Sequence, residues 1–485
     1  MSTILREGQV SYRILDIKNL RFIGIQRPKI VYLSDFEYQK SRIYRNLVIF
    51  AEAKKDYMFN EQIILQVLAE QKEEIQGYRY RNWITRAEES MFEFDSTLAQ
   101  VVIGVRRSGK STLCHKVLLE HGVRYAYVNL DDDRLADIKT EDLNTVLSCV
   151  YQLYGTDVQY LFLDEIQDVE GWYLFVNRLL RTNLHIFVTG SNAKLLSGEL
   201  ATHLTGRYNE IRLFPFSFSE YCDFHRVDTT GITTKAEAER KRAFMAYIND
   251  GGFPEMQNLR NKRGYVEGLL EAILQKDIKK RFKIRDVDAL RKIAGHLISN
   301  SCQEVNYEAL SEIFNISDKT IRKYVSYLQQ AFLVQLLQRH SFKSRERIRG
   351  QKSYIVDPGL QNNRENSMAA ENIGWRLENV VFIELMRRCA KDFTDIYFYR
   401  PEAAGKEVDF VLCDRNKAIE LVQVAYNIDS EKTLKRETSA LVAASDTLHC
   451  DSLTLIALTQ TRDIEIDGKT IHIKSALDWL LSLSE

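Results

Sequence analysis

Val101-Val-Ile-Gly-Val-Arg-Arg-Ser-Gly-Lys-Ser-Thr-Leu113 decides the reading of this chain. Gly104, Gly109, Lys110 and Ser111 satisfy G-x-x-x-x-G-K-[ST], a loop that cradles phosphate. The short β-branched run before it suits a buried strand, and Leu113, Val117 and Leu118 after it recur at helical spacing. Strand, glycine loop and helix are the context the motif requires. The two glycines let the backbone turn tightly and aim several N–H groups at one centre, where the helix N-terminus adds a partial positive charge. Arg106, Arg107, Ser108 and Thr112 complete the ATP-binding loop. Lys110 is expected at the β- and γ-phosphates, and the Ser111 hydroxyl on Mg2+. Arg106 and Arg107 have two readings: contact with nucleotide or a neighbouring subunit, or ion pairs with local carboxylates.

Working outward, three more strand-like runs end in polar residues. Tyr125 to Leu130 runs into Asp131-Asp132-Asp133, Tyr160 to Leu163 into Asp164-Glu165, and His185 to Thr189 into Gly190-Ser191-Asn192. Helical stretches at Thr140 to Tyr154 and Trp172 to Thr182 separate them. The alternation predicts an α/β fold with a covered parallel sheet. Ligands bind such sheets at the C-terminal ends of the strands. Asp164 is expected in the Mg2+ shell and Glu165 on the attacking water, approaching Lys110 from the neighbouring strand. Thr189, Ser191 or Asn192 can bond the γ-phosphate or the water, and Arg207 can stabilise the transferred phosphoryl group, in its own subunit or across an interface.

Composition excludes several classes. Lys+Arg and Asp+Glu are both 67 in 485 residues, so any nucleic-acid surface has to be a local patch. The seven cysteines form no C-x-x-C pair, which argues against disulfides or structural zinc and for free thiols in the cytoplasm. The start lacks a signal-peptide pattern. No apolar run approaches the roughly 18 residues of a membrane span.

After the sheet, Ala236 to Ala294 reads as a helical lid broken at Asp250-Gly-Gly-Phe-Pro254. Two amphipathic helices, Val305 to Phe314 and Lys319 to Leu328, flank a short turn and read as helix-turn-helix. Their shared core is expected from Leu310, Ile313, Ile316, Ile321, Val325 and Leu328. Lys319, Arg322 and Lys323 fall on the outer face, early in the second helix, where groove contacts are made. A strand pair follows, and between its members lie Lys343, Arg345, Arg347, Arg349 and Lys352, a basic wing suited to DNA phosphates. A protein-binding winged helix with a solvated wing is the other reading. The remainder runs helix, three strands, helix, strand, the order of a small restriction-endonuclease-like core.

In combination, Gly104 to Ser111, Leu163-Asp-Glu-Ile-Gln167, Thr189-Gly-Ser-Asn192, Leu204-Thr-Gly-Arg207, Phe214-Pro-Phe-Ser-Phe218 and Gly251-Gly-Phe-Pro-Glu255 resemble prokaryotic AAA+ ATPases related to the archaeal ATPase group. That resemblance, over about residues 75 to 460, implies ATP hydrolysis, association with DNA, a C-terminal winged helix and a PD-(D/E)xK endonuclease-like domain. It matches Glu378 to the helix carboxylate of such a nuclease and Asp409 to the strand aspartate. The third strand departs from the pattern: Leu421 and Gln423 stand where an acid and a lysine are needed, so the Glu378, Asp409, Gln423 site reads as vestigial.

The expected domains are an α+β appendage at 1–70, a P-loop AAA+ core at 71–228, the lid at 229–296, a winged helix-turn-helix at 297–363 and the endonuclease-like domain at 364–485. The expected function is Mg2+-dependent ATP hydrolysis that drives a switch on DNA, with a homo-oligomer open as an assembly. The alternatives are a slowly hydrolysing, ATP-bound protein that recruits a protein partner, and an active DNA nuclease.

Overall fold

Five parallel strands carry the phosphate loop near their middle in the computed structural model. They are β3 (Ala99–Ile103), β4 (Tyr125–Asn129), β5 (Tyr160–Asp164), β6 (His185–Gly190) and β7 (Tyr208–Arg212), in the order β4-β5-β6-β3-β7. β6 therefore lies between the loop strand β3 and the strand that ends in Asp164. The carboxylates reach the loop from the next strand but one, not from the neighbouring strand. β7 escapes sequence reading because Tyr-Asn-Glu-Ile-Arg has no apolar run and buries only Ile211.

Alternation along the strands feeds two cores. Val101, Ile103, Leu161, Leu163, Ile186 and Val188 pack with α1 (Glu61–Tyr78), α3 (Leu143–Tyr154) and α4 (Trp172–Leu179). Val102, Phe162, Phe187 and Ile211 pack with α2 (Lys110–Glu120) on the other face. In α1, Ile64, Val67, Leu68, Gln71 and Ile75 form one buried stripe. The Gln71 amide exchanges two hydrogen bonds with the Asn129 backbone, at 2.9 and 3.0 Å, and so completes the last pairing of edge strand β4.

The structure describes residues 4–7, 10–13, 60–78, 82–191, 204, 206–341, 350–363, 373–401 and 407–482. The chain divides into two units, Met1–Met58 and Phe59–Glu485. Since α1 runs through residue 70 and packs in the ATPase core, the domain edge drawn there moves back to Phe59. In the first unit, β1 (Ile4–Glu7) and β2 (Val10–Arg13) make an antiparallel hairpin. The strand patches read at 22–25 and 29–33 lie outside the described residues.

After the sheet come α5 (Phe218–His225), α6 (Thr234–Asp250), α7 (Lys262–Ala272), a π-helical stretch Ile273–Lys279 and α8 (Val287–Ser299). The helix-turn-helix pair is α9 (Tyr307–Phe314) and α10 (Asp318–Gln330), followed by the antiparallel hairpin β8 (Val334–Gln338) and β9 (Gln351–Ile355). Leu310, Ile321, Val325 and Leu328 are buried there and Ile316 is partly so, but Ile313 is 63% exposed. Tyr307, Leu310 and Phe314 form the inward stripe of α9, and Ile313 stands on its flank.

The C-terminal domain starts with α11 (Ile373–Asp392) and holds a mixed six-stranded sheet, ordered β10-β11-β12-β13-β15-β14. Its strands are β10 (Asp395–Tyr399), β11 (Val408–Asp414), β12 (Lys417–Ala425), β13 (Leu453–Ala457), β14 (Arg462–Ile466) and β15 (Lys469–Ser475). α12 (Glu431–Leu448) crosses over between β12 and β13, which pair in parallel. All seven cysteines are free and buried. No helix among the described residues is long and apolar enough to cross a membrane.

Candidate functional site

The phosphate loop turns at two glycines that no other residue can replace. A Cβ on Gly104 would lie 2.0 Å from the Leu213 carbonyl oxygen, and Gly109 has φ +98° where it caps α2. Ser108 is fully buried, and its Oγ has no hydrogen-bond partner among the described residues. Thr112 is exposed on the first turn of α2. Lys110 is 4% exposed; its Nζ donates to the Val105 carbonyl at 3.2 Å and lies 3.7 Å from Glu165 Oε1.

Asp164 is the hub opposite. Ser111 Oγ donates to Asp164 Oδ1 at 2.9 Å, Tyr127 OH donates to Oδ2 at 2.9 Å, and Thr189 Oγ1 also donates to Oδ1. The next residue, Glu165, sits in the left-handed region at φ 52°, so two successive acids both face the site. Its N–H donates to Thr189 Oγ1 at 3.0 Å, and Gln167 Nε2 donates to its carboxylate. Burial, then the neighbouring Glu165 charge, pushes the Asp164 carboxyl up to about 6. Burial opposes the Glu165 charge too, but the Lys110 ammonium, Gln167 and Arg106 outweigh it and hold its pKa below the ordinary value.

Ser111 and Asp164 converge as an oxygen pair beside a buried ammonium. That donor set suits Mg2+, which takes one or two protein ligands and completes its shell with phosphate and water. Residues and ion therefore fit.

Both loop arginines pair with carboxylates of the helical segment that follows the sheet. Arg106 makes a bidentate pair with Asp277 of the π-helical stretch, at 3.0 Å, and lies 3.7 Å from Asp131. Arg107 pairs with Glu255. Ser191 Oγ donates to Asp277 Oδ1 at 3.1 Å, so the end of β6 joins the same carboxylate. Burial raises the Asp277 pKa against the pull of Arg106. Sequence reading missed Asp277, Tyr127 and Gln167. Asp277 is one acid in a basic run, Lys276-Asp-Ile-Lys-Lys280, and nothing local marks it.

Arg207 is elsewhere. Its carbonyl accepts from Ala99 N at 3.1 Å, at the start of β3, whereas the loop follows Ile103. Four residues of extended strand put about 13 Å between those edges. Arg207 is exposed and lies beside the start of β3, at the opposite end of that strand from the loop. Asn192 lies outside the described residues, as do Lys343, Arg345, Arg347 and Arg349.

On α10, Lys319, Arg322 and Lys323 are exposed. Arg322 pairs with Asp318 at 2.8 Å and covers the Tyr307 ring. Lys352 corrects the sequence reading outright. It is 5% exposed and turns inward, away from any DNA surface. Its ammonium meets Glu407, Glu378 Oε1 at 3.4 Å and Asp409 Oδ1 at 3.6 Å. Glu378, Asp409 and Gln423 are thus brought together, with a lysine among them. Gln423 accepts from Asp409 N at 3.1 Å and donates to Glu437 at 2.8 Å, and Asp409 Oδ2 accepts from Val424 N at 3.0 Å. No group of three or more acids, histidines or cysteines that could hold a metal occurs among the described residues. A nuclease metal does not fit this arrangement.

A family model described as an AAA domain matches residues 96–222. Two models described as domains of unknown function, DUF8612 and DUF4143, match residues 241–369 and 374–475. An uncharacterized protein of Methanocaldococcus jannaschii is 31% identical over 399 residues, which cover 79% of this chain and 88% of that protein. Another, of Haemophilus influenzae, is 33% identical over 406 residues, covering 80% and 95%. Among solved structures, the Thermotoga maritima RuvB Holliday junction branch migration motor aligns over 49% of this chain and 81% of its own, at 16% identity and a TM-score of 0.25. Cdc6p from Pyrobaculum aerophilum aligns over 59% and 88%, at 14% identity and a TM-score of 0.23. Likeness at that level carries no argument about function.

Proposed function

The chain belongs to the family of the Methanocaldococcus and Haemophilus relatives and carries an AAA-type ATPase domain; from that premise we propose that Mg2+-dependent ATP hydrolysis moves its lid and drives a switch on DNA. The observation that carries this reading is the pair of arginines between Gly104 and Gly109, each held by a carboxylate of the lid segment, Asp277 and Glu255. A polyphosphate at the loop competes for those guanidiniums, because charge-assisted bidentate pairs form as readily with phosphate as with carboxylate. Loss of the γ-phosphate returns them to the lid. Contacts that exist in one nucleotide state only are what a switch needs.

Lys110 neutralises the β- and γ-phosphates. Ser111 and Asp164 would hold Mg2+, which when bound would draw charge from the phosphate oxygens. Glu165 orients the attacking water and accepts its proton, while Gln167 fixes the Glu165 carboxylate. Thr189 holds Asp164 and the Glu165 backbone in register, and Ser191 reports to Asp277. Arg207, on the far sheet edge, serves the site of a neighbouring copy in a homo-oligomer.

The helix-turn-helix pair and the β8–β9 hairpin read as a winged helix, with Lys319 and Lys323 the leading phosphate contacts. Arg322 contributes less, because Asp318 already holds it. Lys352 drops out of that set. A protein-recruiting role draws on the exposed Ile313 instead. Two measurements test the proposal. Steady-state ATPase activity is expected to rise with DNA; a single stoichiometric turnover that DNA leaves unchanged favours the recruiting role. Replacing Lys319 and Lys323 with alanine is expected to flatten the salt dependence of DNA binding by about 2. An unchanged slope removes α10 from the interface.

A further inference from the structure

We infer that the Asp357 carboxylate, just after β9, is the joint through which nucleotide at the phosphate loop reaches the helix-turn-helix module, with Gly251-Gly-Phe-Pro-Glu255 as the connecting strap. The inference rests on the ATPase reading above and names how that site is coupled to the rest of the chain.

One end of the strap lies on the loop. Glu255 pairs with Arg107, and Pro254 packs on Gly109, where an added Cβ would meet Pro254 Cγ at 4.0 Å. The ion pair is weak, because Arg107 and Glu255 are 49% and 53% exposed and water screens them. A polyphosphate that takes the Arg107 guanidinium therefore frees Glu255 at little cost.

The other end is fixed. Asp357 is 2% exposed. Its Oδ2 accepts from Gly252 N at 2.6 Å and its Oδ1 from Gly359 N at 2.8 Å, so one carboxylate ties the strap to the chain that leaves β9. The approach is too close for side chains. A Cβ on Gly251 would lie 1.8 Å from Asp357 Oδ1, and one on Gly359 would lie 2.1 Å from the Asp250 carbonyl oxygen. Gly251 also has φ +76°, in the left-handed region.

Between its ends the strap is stiff. Gln257 Nε2 donates to the Gly251 and Phe253 carbonyls at 2.9 and 3.1 Å. Phe216 N donates to Gly252 O at 2.8 Å, and Phe253 is fully buried. Breaking the buried bonds to Asp357 would leave polar groups unpaired, so they hold while the exposed pair opens. A stiff element with one loose contact and one fixed contact carries a change at the first to the second.

The test is hydrogen exchange of the full chain with and without a non-hydrolysable ATP analogue and Mg2+, read over residues 351–361. In the wild type the analogue is expected to speed exchange there about fivefold, a modest coupling between sites. Glu255→Ala removes the loose contact. Exchange in that variant is expected to be fast without nucleotide and to change no further with it. Asp357→Asn leaves one acceptor where two are needed. There the analogue is expected to alter exchange over 251–258 and to leave 351–361 unmoved. Calorimetry on the same samples keeps the two claims apart. A wild-type chain that takes up no analogue ends the ATPase reading, and the joint with it. Uptake with 351–361 unmoved overturns the joint alone, as does a response of wild-type size in either variant. Should Asp357→Asn fail to fold, Glu255→Ala decides, since its side chain is half exposed.

Discussion

Lys110 and Lys352 are buried alike, at 4% and 5% exposure, and each lies against acid side chains. Lys110 has one carboxylate at 3.7 Å and one carbonyl, at the N-terminus of a helix whose loop offers further backbone donors. Lys352 has three carboxylates and is sealed under a strand. Backbone N–H donors at a helix N-terminus face the first, and carboxylates face the second. The first site can therefore take an anion, and the second has already taken its cation. Residue types alone do not distinguish an open site from a closed one; the count of charges and the element that delivers each do.

The largest effect that would break this contrast is at Lys110. Lys110→Ala is expected to abolish ATP binding in a calorimetric titration. Glu165→Gln should keep binding and lower kcat about 10²–10⁴-fold. Normal turnover in either variant ends the assignment. Next in size, Lys352→Ala leaves buried Asp409 and half-buried Glu378 without their cation and should lower stability by about 3 kcal/mol in urea unfolding, with the KM for ATP unchanged. If KM moves and stability does not, Lys352 acts at the nucleotide site and the two pockets are not separate.

A smaller effect concerns pH. The Asp164 carboxyl is raised from 3.8 to about 6 in the folded chain, so its contribution is fully present below about pH 4 and is lost as pH rises through 6. Asp164→Asn should remove that slope, worth about 3 kcal/mol between the two limits, in urea unfolding without nucleotide. A slope unchanged by the substitution points to other buried acids, such as Asp357, raised to about 7 by burial. Smallest is the lid contact. Asp277→Ala removes the carboxylate that competes for Arg106 and should tighten ATP binding about tenfold, or ~1.4 kcal/mol. Weaker binding would show that Asp277 supports the site instead of competing for it.

The ATPase site was legible because its groups are local. Glycines, lysine and serine sit in one loop, and Asp164 and Glu165 end one apolar strand. In the C-terminal domain α11, β10 to β13 and α12 were legible for the same reason, whereas β14 and β15, whose exposed residues alternate with few buried apolar ones, were not read. Strand order was not, as β6 enters between β3 and β5 through pairings that adjacent residues do not encode. Lys352 read as wing because four basic neighbours precede it in sequence, yet strand alternation and the pull of three acids turn it inward.

By itself, then, the sequence determined that a phosphate loop, an acidic strand end and a helix-turn-helix exist, because each is defined by neighbours along the chain. Only the tertiary structure decided which charges meet: Asp277 with Arg106, Lys352 with the C-terminal acids, and Arg207 with neither. Ion pairing is set by distance and burial in space. The partners here come from elements 26 to 171 residues apart, so no window of the chain contains both.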